Sequence, residues 1–401
     1  MNRSSPVSRL QHPGAPPPSM FGFLVGATGM FATMYSTQAI LPVLSRAFRV
    51  RPSVAGLSIS VTVLMVAAGA WLWGAYSDRH GRRRTILLAS GLLVLPTVAL
   101  AAVPDFGLLL ACRAGQGLCM PGLLTVGVPY IREVFSPRHA GRAMGNYVVA
   151  LVVGGLVGRL GVAFLAVAIG WRAALASLAV LPCAGTVLMW RALPDAPPSS
   201  HTERRVPAIA GHLRNPRLRR AIAAGSALLF VFIGVFSYVT YRLQAAPFRL
   251  GPQAASLVFV LWVVGAIGPG AGKLSDRWGW RQVGVASMVA AAAGTALTLA
   301  PSLPAVIAGL AMLAAGMFSG VTVIQLGVAA SAEVDRGTAS GIYFSCYYAA
   351  GALGAYLPGL AWQHWAWPGV ALLAVGVLVT AAVILAAPLP RQPPAKHAAA
   401  E

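Results

Sequence analysis

Residues Gly74 to Arg84 read GAYSDRHGRRR, an Asp–Arg pair and four further basic residues set between two long apolar runs. The chain nearly repeats this stretch at Gly272 to Arg281, GKLSDRWGWR. Gly74/Gly272, Ser77/Ser275, Asp78/Asp276, Arg79/Arg277, Gly81/Gly279 and Arg83/Arg281 coincide at an offset of 198 residues. Two copies of one charged hairpin in an otherwise apolar chain imply a duplicated membrane protein.

The chain of 401 residues is 57% hydrophobic and 10% charged, with 44 Gly. Soluble domains carry about 25% charged residues. That deficit, with apolar runs of about 18 residues or more recurring along the chain, calls for a polytopic helical membrane protein. A transmembrane barrel would alternate apolar and polar residues over about ten positions, and these runs do not. The net charge of +21 would point to nucleic acid in a soluble chain. Here its distribution matters more. Most of the 30 Lys and Arg fall in the termini and in alternate loops, and only Arg113 and Arg159 fall inside spans. This asymmetry predicts a multi-pass plasma (bacterial inner) membrane protein with both termini cytoplasmic and basic loops near anionic lipid. Cys112, Cys119, Cys183 and Cys346 all lie in apolar spans and read as packing residues. No metal site, cofactor or nucleic-acid partner is expected, and a monomer is. The first twenty residues are Pro-rich and polar and lack the layout of a signal peptide.

The expected fold is all-α, with twelve transmembrane helices in two pseudosymmetric six-helix halves. The spans are 21–44, 53–75, 85–103, 106–130, 142–166 and 172–190, then 219–242, 253–271, 283–300, 304–330, 338–358 and 367–387. A tail over 1–20 precedes the first half at 21–190. A cytoplasmic linker rich in Pro, Ser and Arg covers 191–218, the second half 219–387, and a second tail 388–401. A further internal match supports duplication. Gly141/Gly337, Ala143/Ala339, Gly145/Gly341, Tyr147/Tyr343, Gly155/Gly351, Gly158/Gly354 and Trp171/Trp367 coincide at an offset of 196. Duplicated six-helix halves with a site between them suit a rocking transporter.

The hairpin spacing G-x-x-x-D-R-x-G-[RW]-R resembles the loop signature of the major facilitator superfamily. Arg113-Ala-Gly-Gln116-Gly117 resembles that family's R-x-x-Q-G motif, which is associated there with proton coupling and substrate contact. Gly145, Gly154 and Gly158 follow its antiporter-type glycine spacing, but Arg159 stands where that motif has Pro. With TQAILPVL in helix one and the run Phe344–Gly354, the chain looks most like twelve-helix arabinose-efflux-like or drug-efflux-like permeases. The resemblance implies that Asp78 meets the start of helix eleven (Gly337, Thr338). By pseudosymmetry, Asp276 would meet the start of helix five (Ala140, Gly141). Exposed N–H groups and the positive helix end would hold each carboxylate. Asp78, Arg79, Gly81, Arg83 and Asp276, Arg277, Gly279, Arg281 are therefore the expected cytoplasmic gates, closed in the outward-facing state.

An arginine near a helix centre costs about 2.5–3.5 kcal/mol on insertion scales and faces a cavity or a partner. Gln38, Arg113 and Arg159 share a depth of about 25 Å from the cytoplasmic helix ends, at 1.5 Å per residue. They predict a polar layer, with Arg113 and Gln116 as its central pair. In the family, helices one, four, seven and ten line the cavity. Those helices, with five and eleven, add Tyr35, Asn146, Tyr238, Tyr241, Gln325 and Tyr343 as substrate or coupling candidates. All nine acidic residues lie in loops, tails or helix ends, whereas proton-driven pumps place a carboxylate or His in the pathway. Protons are a candidate coupling ion, with Asp105 or the substrate itself as carrier. Arginine without a carboxylate favours an organic anion or a sugar-like compound over a cationic drug. The reading is a secondary active transporter and not an enzyme, exporting a small solute by alternating access. The alternatives are a multidrug/proton antiporter and an uptake permease. GPGAGKLS (Gly268–Ser275) mimics a phosphate loop, but it follows a membrane helix and lacks the required Ser/Thr after its Lys.

Overall fold

A computed structural model describes residues 20–194, 209–331 and 336–388. Nearly all of the two tails, half of the linker (195–208), and the acidic residues Asp195, Glu203, Glu333, Asp335 and Glu401 lie outside the described residues. Within them the chain forms helical rods and no strand. We number the rods α1 to α12. In the first half, α1 comprises Phe21–Met34, a 3-10 turn at Ser36–Ile40, and Leu41–Phe48. Next come α2 (Pro52–His80), α3 (Arg82–Ala99) and α4 (Phe106–Cys119 continued by Pro121–Val134). Rod α5 runs Pro137–Leu156, passes a π turn at Val157–Gly161, and resumes over Val162–Ile169. Rod α6 is Trp171–Ser177 with Val180–Ala192.

The second half begins with α7 (Pro216–Gln244). Rod α8 comprises Pro252–Ser256, a 3-10 stretch at Leu257–Ile267, and Gly268–Trp278. Rods α9 (Trp280–Leu297) and α10 (Leu303–Ser331) follow. The helical stretch Arg336–Ala386 divides at Trp365 and Ala366, where the backbone leaves helical geometry. This gives α11 (336–364) and α12 (367–386).

Eight of the described helices are long and apolar enough to cross a membrane, and the last of these holds both α11 and α12. Trp71, Leu72, Trp190 and Leu372 are more than half exposed, as residues facing lipid are.

The hairpin glycines explain why the repeat keeps them. Gly81 sits at φ 86° and Gly279 at φ 83°, a conformation in which a Cβ clashes. Each closes the turn with one bond, from Gly81 N to Ser77 O at 2.9 Å and from Gly279 N to Ser275 O at 2.8 Å. The repeat is therefore preserved in backbone detail as well as in sequence.

Candidate substrate pathway

Between the halves lies a cavity of about 710 Å³. It reaches from mid-α2 (Val66, Ala70) to the hairpin at Asp78, and its walls are α4 (Leu124, Thr125), α5 (Tyr147, Leu151), α10 (Gln325) and α11 (Phe344, Ser345, Tyr348). Most of the lining is apolar, with a few polar tips. The halves stand apart at this hairpin face: a Cβ added at Gly74, Gly141, Gly145 or Gly341 would have no neighbour within 4 Å.

The opposite face is sealed. Tyr238 donates to the Ala355 carbonyl at 2.8 Å, and Ser60 donates to the Ala352 carbonyl at 2.6 Å. The Ser45 and Tyr241 hydroxyls pair at 2.6 Å, and Gln363 bonds Ser53. A Cβ at Gly56 would collide with the Ala355 carbonyl, and one at Gly359 with Tyr238 and Ser53. The Ser60–Ala352, Ser45–Tyr241, Gln363–Ser53 and Gly56–Ala355 contacts join one half to the other, and Tyr238, whose bond to Ala355 lies within the second half, also reaches the Pro52 carbonyl of the first at 3.4 Å. Tyr238 and Tyr241, expected in the cavity, are part of this seal.

Arg113 is fully buried, but the cavity wall does not include it. Its Nη1 donates to the Thr33 carbonyl and to Gln116 Oε1, both at 2.7 Å. Nη2 donates to the Met34 carbonyl at 2.6 Å, and Nε to the Ser58 carbonyl at 2.9 Å. Thr33 and Met34 end the first helical segment of α1, where carbonyls lose their intrahelical partners. The guanidinium supplies the donor for Met34 and joins the Ser36 hydroxyl on the Thr33 carbonyl. Gln116 passes the network on to Thr97 Oγ1 at 2.9 Å. The expected central pair is thus a clamp within the N-terminal half, where its donors are engaged away from the cavity.

Arg159 has a different setting. It lies 1% exposed in the π turn of α5, at the position where the family's antiporter-type motif has Pro. Gly154 and Gly158 let α5 meet the backbone of α1 at Thr28 and Ala32 so closely that a Cβ would collide. Arg159 Nε donates to Gln38 Oε1 at 2.8 Å, and Nη1 to the Gly155 carbonyl at 2.7 Å. Gln38 Nε2 in turn donates to Ser237 Oγ of α7 at 3.0 Å. The guanidinium carbon lies 3.7 Å from the Trp262 ring centre, 4.6 Å from Tyr35 and 5.3 Å from Phe259. Three irregular stretches meet here: the 3-10 turn carrying Gln38, the π turn carrying Arg159, and the 3-10 stretch carrying Phe259 and Trp262. Irregular backbone at membrane depth is tolerated where protein buries it or a cavity borders it. Gln38 and Arg159 do share a layer, and Arg113 lies outside that cage.

At the hairpins, Asp78 is 55% exposed, 4.0 Å from Arg82, and lines the cavity mouth. Arg79, Asp276 and Arg277 are exposed. Arg83 turns to the end of α6, donating to the Leu193 and Trp190 carbonyls at 2.7 and 2.8 Å. Arg281 does the same at the end of α12, donating to the Leu385 and Ala387 carbonyls at 2.8 and 2.7 Å. Both arginines work inside their own half, as helix C-terminal caps. Gln325 lines the cavity. Asn146 is exposed, and Tyr343 packs against Gly225 of α7 with its hydroxyl buried. Asp105 caps α4, accepting from Leu108 N at 2.9 Å. Sequence reasoning missed Phe259, Trp262, Tyr147 and Tyr348. Of these, only Tyr147 carried a signal, its match to Tyr343 in the repeat.

Two six-helix halves, open between them on one face and sealed on the other, have the architecture of a membrane transporter. Residues 23–322 and 245–401 match the model of the Major Facilitator Superfamily, and the chain belongs to that family. It is 29% identical over 372 residues to the MFS-type transporter YybF of Bacillus subtilis (strain 168), covering 90% of this chain and 91% of that one. It is also 29% identical over 359 residues to the inner membrane transport protein YnfM of Escherichia coli (strain K12), covering 88% and 86%. Among solved structures, a peptide transporter POT in complex with sulfate superposes with a TM-score of 0.77 at 13% identity, covering 95% of this chain and 97% of that one.

Proposed function

We propose that this protein exports a small amphipathic organic anion across the bacterial inner membrane, taking it up in the cavity on the hairpin face. The observation that carries the reading is that cavity, of about 710 Å³ and open beside Asp78, backed by a seal that crosses between the halves. The basic hairpins and the basic linker favour a cytoplasmic location for this face by the positive-inside rule. The similarity to YnfM, an inner membrane transport protein, supports the choice of membrane.

The solute class follows from charge and polarity. Arg113 is engaged within its own half, whereas Arg159 is buried between the halves with a donor to spare, and a guanidinium favours a carboxylate. The apolar cavity wall suits an apolar body better than a free sugar, whose hydroxyls each need a partner. In the outward-facing state the glycines with empty surroundings at the hairpin face come together. Asp78 then docks on the start of α11 at Gly337 and Thr338, and Asp276 on the start of α5 at Ala140 and Gly141. Arg79 and Arg277 flank these latches.

Asp78→Asn is expected to slow export strongly while membrane levels stay near those of the parent. Uptake of radiolabelled organic anions into everted membrane vesicles measures it. Unchanged flux would remove the latch, and flux confined to right-side-out vesicles would make the protein an uptake permease.

A further inference from the structure

Arg159 carries a donor that the protein leaves idle. Its Nη2 is buried with no hydrogen-bond partner. The Nε1 of Trp262, whose ring lies 3.7 Å from the guanidinium carbon, is also buried and unbonded. Leaving one buried donor unmet costs about 1–3 kcal/mol, and more for a charged group. Two of them in one cage call for an explanation. The charge is unmatched as well. Among the described residues the carboxylates are Asp78, Asp105, Glu133 and Asp276. Asp78 and Glu133 pair with Arg82, Asp105 caps a helix, and Asp276 is exposed. Gln38 is already engaged, its oxygen accepting from Arg159 Nε and its nitrogen donating to Ser237 and to the Ile233 carbonyl.

We propose that Arg159 Nη2 and Trp262 Nε1 form an anion subsite that takes one planar carboxylate joined to an aromatic or aliphatic body. The inference rests on the organic-anion reading and narrows it. Two donors match the two oxygens of one carboxylate. The cage holds no second cation for the second charge of a phosphate. Tyr35 and Phe259 add apolar faces around the guanidinium. The cavity wall at Leu151 lies two turns away along α5, about 12 Å at 1.5 Å per residue, and receives the body of the solute. Arg159 belongs to one half and Trp262 to the other, so a bound carboxylate bridges the halves at the broken segments and links occupancy to closure.

Titration calorimetry on the purified full-length protein in detergent tests this, with benzoate as probe and benzyl alcohol, chloride and inorganic phosphate as controls. Benzoate is expected to bind, benzyl alcohol and phosphate are not, and chloride competes only weakly. Trp262→Phe keeps the ring and removes the N–H. It is expected to weaken benzoate about tenfold, the equivalent of one lost hydrogen bond of about 1.4 kcal/mol, with an unchanged melting temperature. Arg159→Gln is expected to abolish binding. The subsite is overturned by equal benzoate affinity in folded Trp262→Phe, by no benzoate binding to the parent, or by chloride or phosphate binding as tightly as benzoate. Vesicle flux separates the two readings. Organic-anion export with the parent's concentration dependence in Trp262→Phe overturns the subsite and leaves the exporter standing, whereas a parent that moves no organic anion overturns the exporter reading itself.

Discussion

Rods α1 and α7 begin the two halves and occupy equivalent places in the repeat, yet one is broken and the other is not. Rod α7 runs unbroken over 29 residues. Rod α1 stops at Met34, tightens through Ser36–Ile40 and restarts. The next pair reverses this: α2 is continuous over 29 residues, and α8 carries the 3-10 stretch Leu257–Ile267. The two broken rods meet at Arg159. Around α1 the N-terminal half uses polar glue, with Arg113 holding three carbonyls and Gln116.

At the corresponding depth, α10 reads Gly309-Leu310-Ala311 and carries no cation. There a Cβ at Gly309 would collide with the Gly294 carbonyl, and one at Gly316 with the Ser287 carbonyl. Close approach of small residues is the ordinary way to join helices in lipid, where burial of apolar surface offers no gain. At the hairpins, Arg82 of the first half reaches Glu133, while its counterpart Trp280 packs on Gly327. The lesson is that the duplicated backbone does not require buried charge. Charge is kept where a rod is broken and its carbonyls need donors.

The largest expected effect comes from removing that donor. Arg113→Leu takes the guanidinium from the Met34 carbonyl, removes one of the donors on the Thr33 and Ser58 carbonyls and frees Gln116 Oε1, and should lower stability by about 3 kcal/mol. Thermal unfolding followed by helical ellipticity measures it. A melt matching the parent would mean that packing alone holds the broken α1.

A smaller effect, of opposite sign, is expected at the turn between α11 and α12. Ala366 adopts φ 47° with ψ −140°, in a region that strains any residue with a Cβ. The first half places Gly170 at φ 83° in the matching turn between α5 and α6. Ala366→Gly should raise stability by about 1–2 kcal/mol. A lower melting temperature would show that the methyl group packs in a way that outweighs the strain.

The smallest effect tests where the halves agree. Arg83 and Arg281 cap α6 and α12 alike. Arg83→Ala and Arg281→Ala should each cost about 1 kcal/mol, and by similar amounts. Unequal losses in parallel melts would show that the repeat is symmetric in sequence but not in energy.

The hairpins, the internal repeat and the rods were all legible in the chain, because lipid rewards long apolar runs and a positive φ demands glycine at a fixed place. The buried arginines were legible too, since a charge in an apolar run stands out. Their partners were not. Counting residues gives Gln38, Arg113 and Arg159 one depth, but it does not give the direction each side chain takes around its rod. Each helical residue turns the direction by about 100°, so a small error at a helix end sends an arginine to a different neighbour. Tyr238 and Tyr241 illustrate the same limit: they lie on an expected cavity rod, and they face a seal.

By itself, then, the sequence determined an all-α duplicated membrane protein with matching hairpins and two buried cations. Only the tertiary structure decided that Arg113 completes the carbonyls of a broken α1 while Arg159 stands in a cage shared by both halves with a donor to spare. The reason is physical. Burial and helix formation follow from residue type along one chain, but satisfying a guanidinium depends on carbonyls and rings brought from rods far apart in sequence.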